Sequence, residues 1–335
     1  MPKTAAGATG ILGTGSYLPK EEIGNEEIAQ RVGVDPEWIQ RKTLIRSRRF
    51  AAPDEATSDL AARAAENALE RAGIEAGRID YLVVSTSTGD HPQPPTSHLV
   101  QQAIGAHRAA CLDVNVVCSG FVYGLGLVRG LLALQPGAVA LVVAADVYSR
   151  ILDFTDRRTA VLFADGAGAA VLGSVPEPYG ILDVDLVGRG DAARLIRVEA
   201  GGSRQPASHE TVDAGDHYFR MDGRGVRDFV MEHVPPALER LVTRAGLTLD
   251  AIDHFVPHQP NGVLLTELAE RAGLGGARVH RTLEKYGNVG SASVAVTLDE
   301  AARSGELADG DTVLLSGFGG GMALGTGLLR WQGAA

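Results

Sequence analysis

The sequence predicts an α/β protein made of two halves of like structure, and three observations support this. The chain has 335 residues, of which 45% are hydrophobic, and this is enough to build a sizeable buried core. Its 42 glycines and its low aromatic content of 5% favour closely packed helices and strands. Finally, one constant spacing of 173 residues relates segments of the first half to segments of the second.

The repeat covers three separate segments in a single register. RAGIEAGRIDYLVVS (71–85) aligns without a gap on RAGLTLDAIDHFVPH (244–258). The same spacing pairs NVVCSG with NVGSAS and GAVALVVAA with GDTVLLSGF. Three matches in register indicate a duplication, with one half at 1–175 and the other at 176–335. Cys118 is then equivalent to Ser291, Asn115 to Asn288, and His258 to Ser85, so loops of both halves can meet in a shared cleft.

The elements of the first half follow from local patterns. SDLAARAAENALERAG (58–73) has the periodicity of a helix, with Ser58 as its N-cap. DYLVVSTS (80–87) is a short strand rich in β-branched residues. A strand-to-helix turn follows at 115–120, and ALVVAA (140–145) is a second, buried strand.

Composition excludes several classes of function. The formal charge of −10 and the absence of long Lys/Arg runs argue against nucleic-acid binding and against anionic membranes. The first dozen residues lack the apolar core of a signal peptide, and the apolar run at 139–145 is too short to span a membrane. Cys111 and Cys118 have neither disulfide nor zinc spacing. We therefore expect a cytoplasmic protein in a reducing compartment, with no bound metal.

Cys118 lies between a strand-like and a helix-like run, in NVVCSGF, and two interpretations are open. The positive end of a helix lowers the pKa of a thiol, so Cys118 could be a nucleophile presented by the turn. A cysteine between apolar segments is also commonly a small packing residue. For Cys111, which no helix follows, we keep the packing interpretation.

Three other segments carry residues with catalytic potential. His258 follows a strand that Pro257 ends, so its ring leaves the sheet at the strand end. Asn288 lies in a turn bounded by glycines, where asparagine is common for backbone reasons. GFGGGMALG (317–325) lacks the lysine of a phosphate-binding loop and the spacing of a dinucleotide site, so close backbone approach to a reacting carbonyl is the better interpretation.

Seven segments, in order and spacing, resemble the Cys-His-Asn condensing enzymes of the β-ketoacyl-acyl-carrier-protein synthase III family. They are LGTGSYLP (12–19), EWIQRKTLIRSRR (37–49), NVVCSGF (115–121), FTDRRTAVLFADGAGAAVLG (154–173), VPHQPN (256–261), YGNVGSAS (286–293) and GFGGGMALG (317–325). The resemblance spans nearly the whole chain. It implies a thiolase fold, in which duplicated α/β halves pack as a layered αβαβα sandwich about a pseudo-twofold axis.

The resemblance also implies roles for the residues singled out above. Cys118 would attack the thioester of an acyl-coenzyme A, with the N–H groups of Cys118 and Gly320 holding the developing oxyanion. His258 and Asn288 would donate hydrogen bonds to the oxygen of a malonyl thioester and stabilise the enolate that forms as carbon dioxide leaves. Asparagine at 288 favours carbon–carbon bond formation, because related enzymes that pass acyl groups to hydroxyls carry aspartate there. A true thiolase would carry a second catalytic cysteine near Gly317. The glycine there therefore argues against a thiolase proper.

Coenzyme A recognition, by the same resemblance, would fall on three residues. Trp38 would stack on adenine, Arg157 would cover the other face of the ring, and Lys42 would lie near a phosphate. Acyl-coenzyme A is a substrate, and no separate cofactor is expected. The resemblance further implies a homodimer.

The chain departs from the family pattern in two places. HQPNGVLLTELAERAG has Val263 and Glu270 where the family often carries basic residues that receive the acidic carrier protein, and only Arg271 is basic there. Carrier-protein docking is therefore weakened. Pro94 stands where relatives often present an aromatic side chain across the dimer interface to close the acyl pocket, so the resemblance does not carry over the length of the acyl chain. Two alternatives remain beside condensation: acyl transfer to a hydroxyl or amine, which Asn288 opposes, and a catalytically silent acyl-binding subunit, which the retained Cys118 opposes.

Overall fold

The computed structural model describes residues 8–333, and this part of the chain contains fourteen strands and ten α-helices. The strands are β1 (Ala8–Tyr17), β2 (Glu21–Gly24), β3 (Ser47–Phe50), β4 (Tyr81–Ser85), β5 (Ala110–Val114), β6 (Ala140–Val147), β7 (Asp165–Val175), β8 (Gly180–Gly188), β9 (Ile196–Arg197), β10 (Arg220–Met221), β11 (His254–Pro257), β12 (Arg278–Val279), β13 (Thr312–Gly319) and β14 (Ala323–Arg330).

The helices are α1 (Asn25–Val32), α2 (Pro36–Thr43), α3 (Thr57–Ala72), α4 (Thr96–Ile104), α5 (Gly120–Leu134), α6 (His209–Asp213), α7 (Gly223–Arg244), α8 (Gly262–Arg271), α9 (Leu283–Tyr286) and α10 (Ser293–Arg303). Short 3-10 helices occupy Ala76–Arg78, Val117–Ser119, Tyr148–Arg150, Gly190–Leu195, Leu249–Ala251 and Gly290–Ala292.

Two five-stranded sheets share one topology. Their strand orders are β1-β7-β6-β4-β5 and β8-β14-β13-β11-β12. In each sheet the last three strands of this order are parallel and the first two pairings are antiparallel. The 3-10 helix Val117–Ser119 recurs 173 residues later as Gly290–Ala292, which makes Cys118 and Ser291 equivalent. The predicted duplication is therefore confirmed.

The two sheets sandwich a central helical layer. Helix α5 contacts β4 and β6 of one sheet and β8, β13 and β14 of the other, while α10 contacts β1 and β7 on one side and β11 and β13 on the other. Helix α3 covers the outer face of the first sheet, and α7 packs on the second. This gives the predicted αβαβα order. The first sheet ends at Val175 and the second begins at Gly180, while the domain ranges themselves, 1–175 and 176–335, stay a prediction.

The start of α3 differs from the prediction. The helix begins at Thr57 with Ala56 at the N-cap position, and Ser58 already lies inside its first turn. The Ser58 N–H and hydroxyl donate to the Asp90 carboxylate at 2.9 and 2.6 Å. The carboxylate of Asp59 accepts the Ala56 N–H at 2.8 Å. Ser58 as the N-cap was wrong, because a tertiary contact with Asp90 takes both of its polar groups.

One described stretch, Val117–Leu134, is long and apolar enough to cross a membrane by length and composition, with a mean hydropathy of 1.7. Half of it is buried inside the protein. The fold accounts for this hydropathy because α5 forms the central layer, where side chains such as Phe121 and Leu125 have no exposure.

Candidate active site

Cys118 lies at the predicted strand-to-helix turn, in the 3-10 helix directly before α5, with 4% of its surface exposed. The preceding Val117 has a φ of +48°, a left-handed conformation that a β-branched residue rarely adopts and that marks local strain. Gly319 covers the thiol: a Cβ there would lie 2.8 Å from the Cys118 Cβ and 3.2 Å from its Sγ. The glycine loop therefore lies directly against Cys118, while its approach to a reacting carbonyl stays a prediction.

Gly320 continues this loop over the turn. A Cβ at Gly320 would lie 3.0 Å from Val117 Cγ2 and 3.2 Å from Ile196 Cγ2, so the backbone passes close to the residue before Cys118. This contact places Gly320 beside the turn that carries Cys118. The role of its N–H in an oxyanion hole stays a prediction.

The pKa of the Cys118 thiol differs from the value that its position before a helix suggests. Burial raises the pKa of the Cys118 thiol above its ordinary value, the nearby Asp146 carboxylate raises it further, and a hydrogen bond from Tyr148 offsets part of the effect. A lowered pKa from the helix terminus was expected, and this was wrong for the free protein. Desolvation outweighs the helix end, so the resting group is a protonated thiol.

Asp146 is a functional neighbour that the sequence did not reveal. Its fully buried carboxylate accepts the N–H of Ser87 at 2.8 Å and the N–H of Ser291 at 2.7 Å. Asp146, in the first half, therefore binds the turn of the second half that is equivalent to the turn at Cys118. The only signal in the sequence was an acidic residue directly after the apolar run at 140–145.

His258 follows β11, as predicted, and is held from three sides. Its backbone N–H donates to the Ser316 carbonyl at 2.6 Å. Its ring lies edge-on to Phe318, with ring centroids 5.2 Å apart, and its Nδ1 is 2.6 Å from Ser293 Oγ. Burial lowers the pKa of His258 to about 3, so the imidazole is neutral at physiological pH. A neutral, fixed imidazole can donate one hydrogen bond from its free nitrogen.

Asn288 lies in a loop between two left-handed glycines, Gly287 (φ +68°) and Gly290 (φ +58°). Its N–H donates to the Leu162 carbonyl and its carbonyl accepts the Ala164 N–H, both at 2.9 Å. The side-chain Oδ1 accepts the Gly290 N–H at 3.0 Å. This contact occupies the amide oxygen, so the Nδ2 group remains as the free donor of the side chain.

Phe318 links His258 to Cys118. Its ring lies against the imidazole of His258, and the next residue, Gly319, packs directly on the thiol. Strand β13 therefore brings His258, the predicted hydrogen-bond donor, to Cys118, the predicted nucleophile.

Tyr148 and Phe163 link Cys118 to Asn288 on the other side. The Tyr148 hydroxyl lies close enough to the thiol to lower its pKa, the Tyr148 ring centroid lies 4.6 Å from that of Phe163, and Phe163 forms a parallel β-bridge with Asn288. Cys118 and Asn288, which are 170 positions apart in the chain, therefore belong to one cluster of contacting residues. Their individual catalytic roles stay predictions.

A third aromatic ring completes a wall beside the thiol. The centroid of Phe219 lies 5.6 Å from Tyr148 and 4.7 Å from Phe163, in edge-to-face geometry. All three side chains are buried. We call Tyr148, Phe163 and Phe219 the aromatic wall.

A cavity of about 380 Å³ reaches Asn288 from the surface. The residues predicted to recognise coenzyme A, Trp38, Lys42 and Arg157, all line it, so the structure brings them to the same site as Asn288. The guanidinium carbon of Arg157 lies 5.8 Å from the Trp38 ring centroid. A base stacked between the two would need about 7 Å, so Arg157 must move by about 1 Å to admit it. The contacts with coenzyme A themselves stay a prediction.

Asn261 joins two walls of this cavity, a role that the sequence did not indicate. Its Oδ1 accepts the N–H of Val263 at 2.8 Å and caps α8, while its Nδ2 donates to the Lys42 carbonyl of α2 at 3.0 Å. The last residue of the VPHQPN motif therefore shapes the cavity entrance.

One of the two departures from the basic docking pattern, Val263, lines this cavity, and the other, Glu270, lies outside its lining. Val263 is 49% exposed, and Glu270 is exposed on the same helix, α8. Between them, Glu267 forms an ion pair with Arg227 of α7. Helix α8 therefore presents an apolar and an acidic side chain where a basic surface would attract an acidic carrier protein, whereas Lys42, Arg157, Arg158 and Arg227 line the cavity itself.

Comparison with known proteins gives one family. The family described as 3-oxoacyl-[acyl-carrier-protein (ACP)] synthase III matches residues 112–190, and its C-terminal counterpart matches residues 242–331. The chain is 50% identical over 323 residues to acetoacetyl CoA synthase NphT7 of Streptomyces sp. (strain CL190), covering 96% of this chain and 98% of that one. It is 41% identical to a β-ketoacyl-[acyl-carrier-protein] synthase III of Caldanaerobacter subterraneus subsp. tengcongensis, over 97% and 98% of the two chains.

Solved structures agree with this result. The priming β-ketosynthase of the R1128 polyketide biosynthetic pathway has a TM-score of 0.90 and 33% identity, covering 100% of this chain and 99% of that one. The β-ketoacyl-[acyl carrier protein] synthase III of Thermus thermophilus has a TM-score of 0.89 and 36% identity, covering 97% and 100%.

Proposed function

The chain belongs to the 3-oxoacyl-[acyl-carrier-protein] synthase III family of condensing enzymes, and from that premise we propose that it joins an acetyl group from acetyl-CoA to a malonyl thioester. The products are an acetoacetyl thioester, carbon dioxide and free coenzyme A. With malonyl-CoA as the second substrate the product is acetoacetyl-CoA, the compound that names the relative NphT7.

The first half-reaction forms an acetyl-enzyme. The Cys118 sulfur bonds to the acetyl carbon, the bond from that carbon to the coenzyme A sulfur breaks, and the thiol proton ends on the departing coenzyme A. The resting thiol is protonated, because burial raises the pKa of Cys118, so proton loss accompanies attack. The N–H groups of Cys118 and Gly320 would hold the oxyanion, since Gly320 lies beside the nucleophile turn.

The second half-reaction makes the carbon–carbon bond. The malonyl carboxylate leaves as carbon dioxide, and the electron pair moves into an enolate whose oxygen accepts hydrogen bonds from His258 and Asn288. The enolate carbon attacks the acetyl carbonyl, the bond from that carbon to the Cys118 sulfur breaks, and the thiolate takes up one proton from water. Two neutral donors suit a developing negative charge, and the lowered pKa of His258, about 3, keeps its imidazole neutral.

The aromatic wall is the observation that carries the choice of starter. Tyr148 touches the thiol and is backed by Phe163 and Phe219, with ring centroids 4.6 to 5.6 Å apart. We infer that the wall admits a two-carbon acyl group and excludes longer ones, because Tyr148 is backed by two packed rings and cannot move aside for added methylenes.

The cavity entrance supports coenzyme A as the carrier of the malonyl group. Trp38, Lys42 and Arg157 line the cavity, whereas the exposed Val263 and Glu270 offer nothing to an acidic carrier protein. Malonyl-CoA is therefore the preferred second substrate, and malonyl-carrier protein is the weaker one.

The test uses purified protein and follows both half-reactions. Incubation with a panel of acyl-CoA esters should give an acetyl adduct on Cys118 by mass spectrometry, absent from Cys118→Ala and retained in Cys111→Ala. Malonyl-CoA should then release carbon dioxide and acetoacetyl-CoA. An adduct on Cys111 would reject the mechanism. Turnover with a hydroxyl or amine acceptor and no carbon dioxide would replace condensation by acyl transfer.

We also infer that the active form is a cytoplasmic homodimer. The segment 91–95, which includes Pro94, is exposed in the single chain, as are apolar side chains such as Leu127 and Leu134. A second copy would cover such surface. Light scattering at micromolar concentration should give the mass of a dimer, and a monomer would contradict this.

A further inference from the structure

The donor role of His258 depends on which ring nitrogen carries its proton. A neutral imidazole has one N–H, and the nitrogen that faces the substrate must be the one that holds it. His258 Nδ1 lies 2.6 Å from the hydroxyl oxygen of Ser293, and Ser293 is fully buried. By distance alone, either group could donate to the other.

A count of protons decides the direction. Within residues 8–333, the Ser293 hydroxyl has two partners, His258 Nδ1 at 2.6 Å and the backbone N–H of Gln259 at 3.4 Å. The N–H of Gln259 can only donate, so the hydroxyl proton has only Nδ1 as its acceptor. If Nδ1 donated instead, a buried hydroxyl proton would be left without a partner, which is strongly unfavourable. Ser293 is therefore the donor and Nδ1 the acceptor.

We propose that Ser293 is a positioning residue that holds His258 in the tautomer with its proton on Nε2, and so provides the hydrogen bond to the malonyl thioester oxygen. The tautomer follows from the structure itself. Its effect on decarboxylation rests on the proposed function.

The duplication supplies an internal comparison. Ser293 and His258 are equivalent, by the spacing of 173, to Gly120 and Ser85 in the first half. A Cβ at Gly120 would lie 1.6 Å from Ser85 Oγ, so the fold brings these two positions together in both halves. The first half pairs two small residues there, whereas the second half fills the same contact with an imidazole and a hydroxyl.

The same turn also orients the second donor. Asn288 is held through the N–H of Gly290, three residues before Ser293, and α10 begins at Ser293. The Ser293 carbonyl accepts the Thr297 hydroxyl at 2.7 Å, which fixes the first turn of α10. One rigid segment therefore sets the orientation of both enolate donors.

Nitrogen-15 NMR of histidine-labelled protein measures the tautomer directly. The signals of His258 are identified by their absence from the His258→Gln variant. We expect the native protein to show Nδ1 as a bare, acceptor-type nitrogen and Nε2 as an N–H nitrogen. A native spectrum with the proton on Nδ1 would overturn the proposal, and this measurement needs no Ser293 variant to fold.

Two variants connect the tautomer to the reaction. In Ser293→Ala, we expect the two His258 nitrogen signals to move together as tautomers mix. Carbon dioxide release should fall about tenfold or more, while acetylation of Cys118 changes by less than about twofold. Ser97→Ala is the matched control, because it makes the same chemical change at a buried serine in the first turn of another helix, α4, and it should keep the native tautomer and rate.

Unchanged nitrogen signals in a folded Ser293→Ala protein would overturn the proposal, as would equal losses of decarboxylation in the two variants. If the native protein releases no carbon dioxide at all, the proposed function fails, whereas the tautomer measurement still decides the role of Ser293.

Discussion

At the residue scale, the site depends on the burial of polar groups that stay neutral. Burial lowers the pKa of His258 to about 3 and raises that of the Cys118 thiol, so neither carries a charge at neutral pH. The Asn288 amide is neutral by nature, and its oxygen is occupied by the Gly290 N–H. Neutral donors can stabilise an enolate without holding a malonyl carboxylate too tightly to lose carbon dioxide.

Replacement of Asn288 by aspartate separates the two half-reactions. Asn288→Asp should leave acetylation of Cys118 nearly unchanged, because that step places no charge beside residue 288. Carbon dioxide release from malonyl-CoA should fall by about a hundredfold, equivalent to about 3 kcal/mol of barrier, with repulsion between carboxylate and enolate adding to the loss. Radiolabelled carbon dioxide release and the mass of the acetyl-enzyme measure the two steps.

The equivalent turn of the first half provides the control. Asn115→Asp makes the same chemical change at the repeat position of Asn288, on an exposed residue, and should alter carbon dioxide release by less than about twofold. Equal effects at 115 and 288 would mean that Asn288 has no special place in decarboxylation.

At the element scale, segments distant in the chain build the walls of the site. Tyr148 follows β6, Phe163 precedes β7 and Phe219 precedes β10, and their rings pack into the aromatic wall. On the entrance side, Asn261 ties α8 to α2. In the proposed function, the first set of contacts limits the acyl group and the second shapes the surface that a carrier meets.

A smaller side chain in the aromatic wall should widen the range of starters. In Phe219→Leu, the ratio of butyryl to acetyl adduct on Cys118 should rise about tenfold, because the lost ring volume accommodates extra methylenes. Competition between acetyl-CoA and butyryl-CoA, read by intact mass, measures it. The matched control, Phe229→Leu, alters a buried aromatic residue that packs on His233 instead. A similar change in both variants would remove the wall as the cause.

A basic side chain on α8 should restore carrier docking. Glu270→Lys should lower the KM for an acidic malonyl-carrier protein about threefold at low salt, with the gain lost at high salt, because the effect is electrostatic. The KM for malonyl-CoA should not change. Glu66→Lys, an equal charge change on an exposed residue of α3, is the control. Equal gains from both substitutions would point to net charge rather than to a docking surface.

At the scale of the whole molecule, duplication places the site between two like halves and a buried carboxylate joins them. Asp146 of the first half accepts the Ser291 N–H of the second at 2.7 Å. Burial raises the pKa of Asp146, although its hydrogen bonds to Ser291 and Ser87 oppose this. The stability of the fold and the geometry of the site therefore rest on the same buried polar groups.

The buried His258 should make the protein less stable in acid. The pKa of His258 is about 3 when folded, below the ordinary 6.5, so below pH 6.5 the unfolded chain binds a proton that the folded protein does not. The free energy of unfolding should therefore fall as pH decreases from 6.5 toward 3, by up to about 1.4 kcal/mol per pH unit from this group. Denaturant unfolding at pH 7, 6 and 5 should show a shallower dependence in His258→Gln.

The comparison of the native protein with His258→Gln separates the contribution of His258 to the pH dependence from that of other titrating groups. Burial raises the pKa of Asp165 to about 6, and this carboxyl favours the folded state as pH falls, but its contribution is common to both proteins and cancels in the difference. His107→Gln, which removes an exposed histidine, should keep the native pH dependence. Identical slopes for all three proteins would show that His258 is not held neutral by burial.

The fold class, the duplication and the segments that carry the site could all be predicted from the sequence alone. These features are readable because hydrophobic periodicity, glycine turns and a repeat spacing of 173 residues are properties of local segments. The turn at Cys118, the strand before His258 and the glycine-bounded loop at Asn288 all appear where their local patterns predict them.

The pKa values and the orientation of the side chains in the site could not be predicted from the sequence, because they depend on tertiary contacts. The pKa of Cys118 is raised instead of lowered because burial and Asp146, 28 positions away, outweigh the helix end. His258 meets Ser293 across 35 positions, and Asp146 meets Ser291 across 145. Desolvation and hydrogen-bond pairing depend on which distant residues exclude water from one another, and no local pattern in the sequence contains that information.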